Sequence, residues 1–275
     1  MPELPETETI ARDLDRTVSG AVVAAIMVKH SDVLRGVTPA RLRARVVGAT
    51  LGRTWRRAKH IVIDLSTTDH LVVQPRFTGA LLIDTGDLPD GERQYSTVAF
   101  ELTDGRTLHY RDIRRLGTVT LMTASAFAKY ADSLGPEPLE PSFTPAALRA
   151  ILARSRQPVK KALMDQRLIA GIGNIYATES LWRAGIDPSR PAARVSQEAS
   201  ERLHREIVDV LRRSIRARGT SFRDYRDARG MRGSFAAELL AYGRAGEACG
   251  RCGRRLVGTA AIDGRMTVFC SHCQR

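Results

Sequence analysis

Gly135-Pro136-Glu137-Pro138-Leu139-Glu140-Pro141 is the stretch at which the sequence changes character. Three prolines in six residues remove backbone donors and fix φ, so neither helix nor sheet runs through it, and it reads as a linker. On its N-terminal side an amphipathic helix from about residue 4 to 17, with Ile10 and Leu14 on one face, precedes strand-like runs at 21–28, 61–65, 71–73, 81–83, 97–102, 107–110 and 118–122. On its C-terminal side the helical stretches are 145–154, 158–164, 175–184 and 196–218. The pattern predicts an α+β protein of two domains, a helix with a β-sandwich followed by a helical domain. At 275 residues each half is long enough to bury a core.

All four cysteines lie in the last 27 residues, as Cys249-Gly-Arg-Cys252 and, seventeen residues on, Cys270-Ser-His-Cys273. Two short knuckles at this spacing suit one tetrahedral zinc ion in a ribbon, with two disulfides as the competing reading. A reducing compartment disfavours disulfides. Four thiolates leave no position for water, which makes the ion structural. Between the knuckles, 254–257 and 266–269 read as a hairpin joined through Asp263-Gly264-Arg265.

The chain carries 43 basic and 30 acidic residues, a net charge of +13. Residues 1–141 hold 18 of each sign, and residues 142–275 hold 25 basic against 12 acidic, so the whole excess sits in the second half. Only five of the basic residues are lysines. An arginine-rich composition accounts for that choice but not for the split, which points to a polyanion, most often nucleic acid. No apolar run approaches the ~18 residues of a membrane span. The N-terminus lacks the pattern of a secretory signal, so a cytoplasmic or nucleoid location is expected.

The opening Met1-Pro2-Glu3-Leu4-Pro5-Glu6 carries chemistry of its own. If Met1 is removed, the chain begins with a secondary amine one bond from a carboxylic acid. An α-amino group titrates near ~8, more than two units below lysine, so far more of it is neutral at pH 7. Attack by such an amine on a sugar carbonyl carbon gives an iminium, an electron sink for elimination. The plainer reading is that Pro2 and Pro5 start a helix whose positive end favours Glu3, Glu6 and Glu8.

Met1 to Glu6, Arg56-Arg57-Ala58-Lys59, Leu134 to Leu139, Gly171-Ile172-Gly173-Asn174-Ile175-Tyr176, Tyr242-Gly243-Arg244 and the terminal cysteines together resemble the formamidopyrimidine-DNA glycosylases, in the same order and over nearly the whole chain. Leu4 is similar to that enzyme rather than to endonuclease VIII, which usually has glycine there. The resemblance implies a β-sandwich, a helix-two-turns-helix domain and a zinc finger, with spans of 1–133, a 134–143 linker, 144–241 and 242–275, and DNA in the cleft between the domains. It implies base-excision repair of oxidised purines in double-stranded DNA by a monomer, on a flipped-out nucleotide. By the same resemblance Pro2 forms a Schiff base, Glu3 protonates the opening sugar, Lys59 assists base release and β-elimination, and Arg265 holds phosphates and serves δ-elimination. Asn174 is placed on a backbone phosphate, and residues 219–235 take the place of a lesion-capping loop, with a mobile surface loop as the alternative.

Other residues are weighed beside these. Arg154, Arg156, Lys160 and Lys161 suit phosphate contact, and Asn174 also suits the N-cap of the helix after it. The Gly171–Tyr176 motif lacks the third glycine and the leading strand of a dinucleotide site. Where the family usually reads HLGM, this chain has Gln74-Pro75-Arg76-Phe77, which makes Phe77 the expected wedge. Asp112-Ile113-Arg114-Arg115-Leu116-Gly117 stands where DPRRFG is usual, so Arg114 would read the orphaned base without an aromatic partner at Leu116. Arg93 and Tyr95 fall near positions often held by histidine, and Arg93 is expected on DNA. Two alternatives stay open: the same chemistry directed to oxidised pyrimidines or abasic sites, and a noncatalytic zinc-containing DNA-binding protein.

Overall fold

The computed structural model describes residues 2–275, and Met1, with the question of its removal, lies outside the described residues. The chain forms two compact units: one holds the residues up to Asp132 with Ala217–Ser234, the other Ser133–Arg216 with Phe235–Arg275.

In the first unit α1 (Leu4–Val18) precedes β1 (Val23–Val28), α2 (Pro39–Val46), β2 (Leu51–Arg57), β3 (His60–Leu65), β4 (Asp69–Gln74) and β5 (Gly79–Asp84). A single turn, α3 (Asp90–Arg93), then leads to β6 (Ser96–Leu102), β7 (Thr107–Asp112), β8 (Thr118–Thr123) and α4 (Ala124–Asp132). The strands make two antiparallel sheets, ordered β1-β6-β7-β5 and β2-β3-β4-β8. Both contribute to one core, Val98, Phe100 and Tyr110 from the first sheet and Ile61, Ile63 and Val73 from the second, which is the expected sandwich. Ile10, Leu14 and Val18 of α1 enter that core at helical spacing. The apolar alternation of β2 is masked by Arg53, Arg56 and Arg57, so this strand carries no clear signal in the sequence, whereas α2 is marked by its Thr38 cap and Pro39 and is, with α4, an addition to the expected elements.

In the second unit α5 (Pro145–Ala153), α6 (Val159–Met164), α7 (Asn174–Ala184) and α8 (Gln197–Arg216) precede the hairpin β9 (Val257–Thr259) and β10 (Thr267–Phe269). α8 buries Leu203, Ile207, Val210, Leu211 and Ser214, one face at spacings of three and four, and Ser214 meets Tyr176 of α7, Oγ to Oη 2.6 Å. β9 begins where the expected 254–257 strand ends, because Leu256 and Arg255 are taken up by bonds to Glu247 and Ala248.

Two features depart from the simple partition at the prolines. The linker is packed, not loose: the Gly135 N–H donates to the Gln166 carbonyl at 2.8 Å, and the Ala170 N–H to the Pro136 carbonyl at 3.0 Å. The span 144–241 is interrupted, since 217–234 belongs by its contacts to the first unit, where Tyr225 and Ala228 join the sandwich core.

Candidate active site and metal centre

Pro2 and Glu3 are buried immediately ahead of α1. Glu3 occupies the N-cap, and its N–H donates to Glu6 Oε2 at 2.8 Å, the return half of a capping box. The other oxygen of Glu6, itself 1 % exposed, accepts the Thr220 N–H at 2.8 Å. One buried carboxylate therefore holds both the N-terminal dipeptide and the 217–234 segment. Seven residues along the helix the buried Asp13, together with Asp227, pairs with Arg218 of the same segment. The segment is thus anchored on α1 through Thr220 and Arg218.

Glu8 performs a related task for Lys59. Burial raises the Glu8 carboxyl, but the guanidiniums of Arg56 and Arg12 outweigh it and hold the group below its ordinary value. Arg56 Nε lies 2.8 Å from Glu8, and Arg56 Nη1 donates to the Ala58 carbonyl at 3.0 Å. Arg57 and His60 close the β2–β3 hairpin, leaving Ala58 and Lys59 as its two-residue turn. Ala58 takes φ 51°, a left-handed conformation that favours glycine. Lys59 is 8 % exposed at this tip. Burial lowers the next residue, His60, to about 4, with the charges of Arg76, Lys59 and Arg57 acting in the same direction. It is neutral at physiological pH, with Nε2 3.1 Å from the Tyr130 hydroxyl.

Phe77 and Arg114 come from two turns joined by a buried carboxylate. Asp112 is 1 % exposed and accepts from the Thr78 hydroxyl, while its second oxygen takes the Gly117 N–H at 2.8 Å. Thr78 Oγ1 in turn accepts the Arg114 N–H at 3.0 Å. Gly117 has no substitute: a Cβ there would lie 2.0 Å from Tyr110 Oη and 2.6 Å from the Gln74 carbonyl. Phe77 is 48 % exposed, outside the core, with the Arg114 guanidinium 5.3 Å from its ring centroid. Leu116 and Ile113 are exposed beside Arg114 in the sequence.

Arg93 keeps 42 % of its side chain exposed, with its guanidinium 3.0 Å from Asp84 and donating to the Leu88 carbonyl, also at 3.0 Å.

In the second unit Lys160 does not lie on a solvated helix face. The side chain is wholly buried, with Nζ 3.1 Å from Asp263 Oδ2 and 2.6 Å from Thr267 Oγ1, so it cannot meet a phosphate at the surface as it stands. Helix amphipathicity alone cannot reveal this, since the counter-ion lies 103 residues away. Arg156, Arg154, Lys161 and Arg265 are exposed. Asn174 is the first residue of α7 and not its cap, which is Gly173. Its Nδ2 donates to the Met266 carbonyl at 3.1 Å. Gln166 shapes the turn before α7, accepting the Gly171 N–H and donating to the Met164 and Ile172 carbonyls.

The four cysteine sulfurs all lie within 4.8 Å of one another. Cys252 and Cys270 are 3.6 Å apart, close to the ~3.8 Å edge of a tetrahedron with metal–sulfur bonds of about 2.3 Å. Burial raises the Cys249 thiol, but N–H groups of Arg251 and Cys252 and the neighbouring thiols bring it down to about 7. The donor set fits a single soft or borderline metal ion. Among the described residues no helix is long and apolar enough to cross a membrane.

Among the residues that hold these sites, Glu6 and Glu8 were legible only as charges favoured at a helix start. The ties of Glu8 to Arg56 and of Asp112 to Thr78 were not, because only folding brings those partners near, and Gln166 carries no signal of its own although its partners are local.

The family model of the formamidopyrimidine-DNA glycosylase N-terminal domain matches residues 1–119, and that of the formamidopyrimidine-DNA glycosylase H2TH domain matches 134–226. The formamidopyrimidine-DNA glycosylase of Carboxydothermus hydrogenoformans is 40 % identical over 277 residues, covering 100 % of both chains. Among solved structures, the Lactococcus lactis enzyme in complex with DNA containing N7-benzyl-Fapy-dG superposes with a TM-score of 0.91 at 30 % identity over 100 % of both chains. The same enzyme bound to DNA with an abasic site gives 0.90 at 30 % identity over 99 % of each. With both halves of the family present in order, and the buried N-terminal dipeptide and cysteine cluster in place, the chain belongs to the formamidopyrimidine-DNA glycosylase family of base-excision repair enzymes.

Proposed function

We propose that this enzyme is a bifunctional glycosylase and abasic-site lyase that removes oxidised purines, 8-oxoguanine and formamidopyrimidines, from double-stranded DNA. The observation that carries the reading is the buried Pro2-Glu3 terminus, tied through Glu6 to the start of α1. After loss of Met1 the Pro2 nitrogen attacks C1′ of the damaged nucleotide as the base departs, and Glu3 donates a proton to the opening sugar. The iminium then acidifies C2′: loss of that proton expels the 3′ phosphate, and loss of the C4′ proton next expels the 5′ phosphate. Lys59, held at its hairpin tip by the Glu8–Arg56–Ala58 chain, assists base release and the first elimination. Arg265 serves the second. Phe77 and Arg114 fill the space left by the flipped nucleotide, while Asn174, Arg156 and Arg154 contact phosphates. The ion in the cysteine cluster is zinc, which holds the β9–β10 hairpin and leaves the chemistry to side chains. The enzyme acts as a monomer in the compartment that holds the chromosome.

The experiment is borohydride trapping with an 8-oxoguanine:cytosine duplex, followed by mass mapping of the adduct. An adduct on Pro2, absent from Pro2→Gly while its circular dichroism is unchanged, supports the reading. Cleavage unchanged in Pro2→Gly refutes it. The exposed Phe77, with Leu116 in place of an aromatic residue, favours one second reading, a preference for oxidised pyrimidines or bare abasic sites. A panel of lesion duplexes separates the two, and clear preference for 8-oxoguanine opposite cytosine removes the second.

A further inference from the structure

We propose that Lys160 is a positioning residue for Arg265 and thereby sets how the reaction divides between one strand cut and two. The inference rests on the lyase reading above. A lysine with no exposed surface is costly, because its ammonium gives up water and must recover the loss from a counter-charge and hydrogen bonds. Two of the partners of Lys160 flank Arg265. Asp263 meets Nζ through Oδ2, at 3.1 Å, and receives the Arg265 N–H through Oδ1, at 3.0 Å. Thr267 accepts from Nζ at 2.6 Å and donates its hydroxyl proton to the Arg265 carbonyl at 3.3 Å. The amide before Arg265 and the carbonyl after it are therefore both held by side chains that Lys160 holds.

The hairpin cannot do this alone. β9 and β10 are three residues each, and the turn between them passes through Gly264 at φ 76°. The metal cluster grips the far ends of the hairpin, and the tip is gripped by α6 through Lys160 and by α7 through Asn174. Arg265 itself stays exposed on a cavity of about 400 Å³ that also has Lys161, Arg167, Met164 and Gln157 on its walls. A misplacement of about 1 Å at a group acting on the transition state can cost about a hundredfold in rate. Lys160 is the feature that fixes the backbone from which the Arg265 guanidinium reaches a phosphate.

The test measures products of a single turnover on an abasic-site duplex, resolved into singly and doubly cut strands, with zinc content and borohydride trapping determined alongside. Lys160→Met alone leaves Asp263 buried and unpaired, so the informative variant is Lys160→Met with Asp263→Asn, which removes both charges. The expected result is about one zinc per chain and trapping within about threefold of the parent, with the ratio of doubly to singly cut product reduced about tenfold or more, close to that of Arg265→Ala. Parent-like partitioning in a zinc-loaded double variant overturns the inference, as does loss of zinc or of trapping, which would make Lys160 a general structural residue. Absence of a trapped adduct with the parent enzyme would instead overturn the lyase reading, and an unchanged product ratio in Arg265→Ala would remove the role that Lys160 is said to support.

Discussion

The guanidinium carbon of Arg114 lies 5.3 Å from the centre of the Phe77 ring, a cation–π contact between side chains exposed on two different turns. Asp112 and Thr78 join those turns, so the pair presents as one unit. A contact of this kind at an exposed position is worth about 0.5–1 kcal/mol. In a double-mutant cycle on binding to an abasic-site duplex, Phe77→Ala and Arg114→Ala are expected to couple by about that amount. Strictly additive losses would mean that the two residues act separately on DNA.

Arg218 bridges two buried carboxylates, Asp13 on α1 and Asp227 within the anchored segment. Removing it leaves both acids unpaired. Breaking a buried pair costs about 3–5 kcal/mol, but Arg218 keeps 40 % of its side chain exposed, so a loss of about 2–3 kcal/mol is expected for Arg218→Met. Urea unfolding measures it. A change within experimental error would show that the segment is held by Glu6 and Tyr225 alone.

His60 contributes a pH dependence with a definite sign. The unfolded chain takes up its proton near 6.5 and the folded protein only at about 4, so between these values the unfolded state binds more protons. The His60 contribution is complete above 6.5 and falls away as the pH is lowered toward 4. His60→Phe is expected to flatten the melting temperature across that window and leave it little changed at pH 7.5. An unaltered slope would assign the acid sensitivity to other groups.

Removal of the metal is expected to unfold the hairpin and leave the sandwich intact, because the cysteine cluster packs with Trp182, Leu256 and Val268 of its own unit. Chelation, or Cys252→Ser, should lower bound metal from about one ion per chain and, if Arg265 holds a phosphate as proposed, make the dependence of log affinity on log salt shallower by about one. Amide exchange confined to 242–275 would accompany it. Full affinity without metal would exclude the ribbon from DNA binding.

Sequence alone determined the change of pattern at the prolines, seven of the eight sandwich strands, the four helical stretches and the two cysteine knuckles. Each of these is written in local signals, a periodicity of two or of 3.6, a proline cluster or a fixed cysteine spacing, which survive without knowledge of any partner. Tertiary structure decided what the charged residues do. Lys160 and Arg93 look like two more cations for DNA, yet each is committed to an aspartate, one of them far along the chain. Residues 217–234 follow a helix of one unit and pack into the core of the other, since Glu6 and Asp13 of α1 supply the acceptors they need. The basic strand β2 earns its place by pairing with β3, a partner its own alternation does not announce. A charge or a masked strand has many admissible partners in a sequence, and only the folded chain selects the one that compensates its burial.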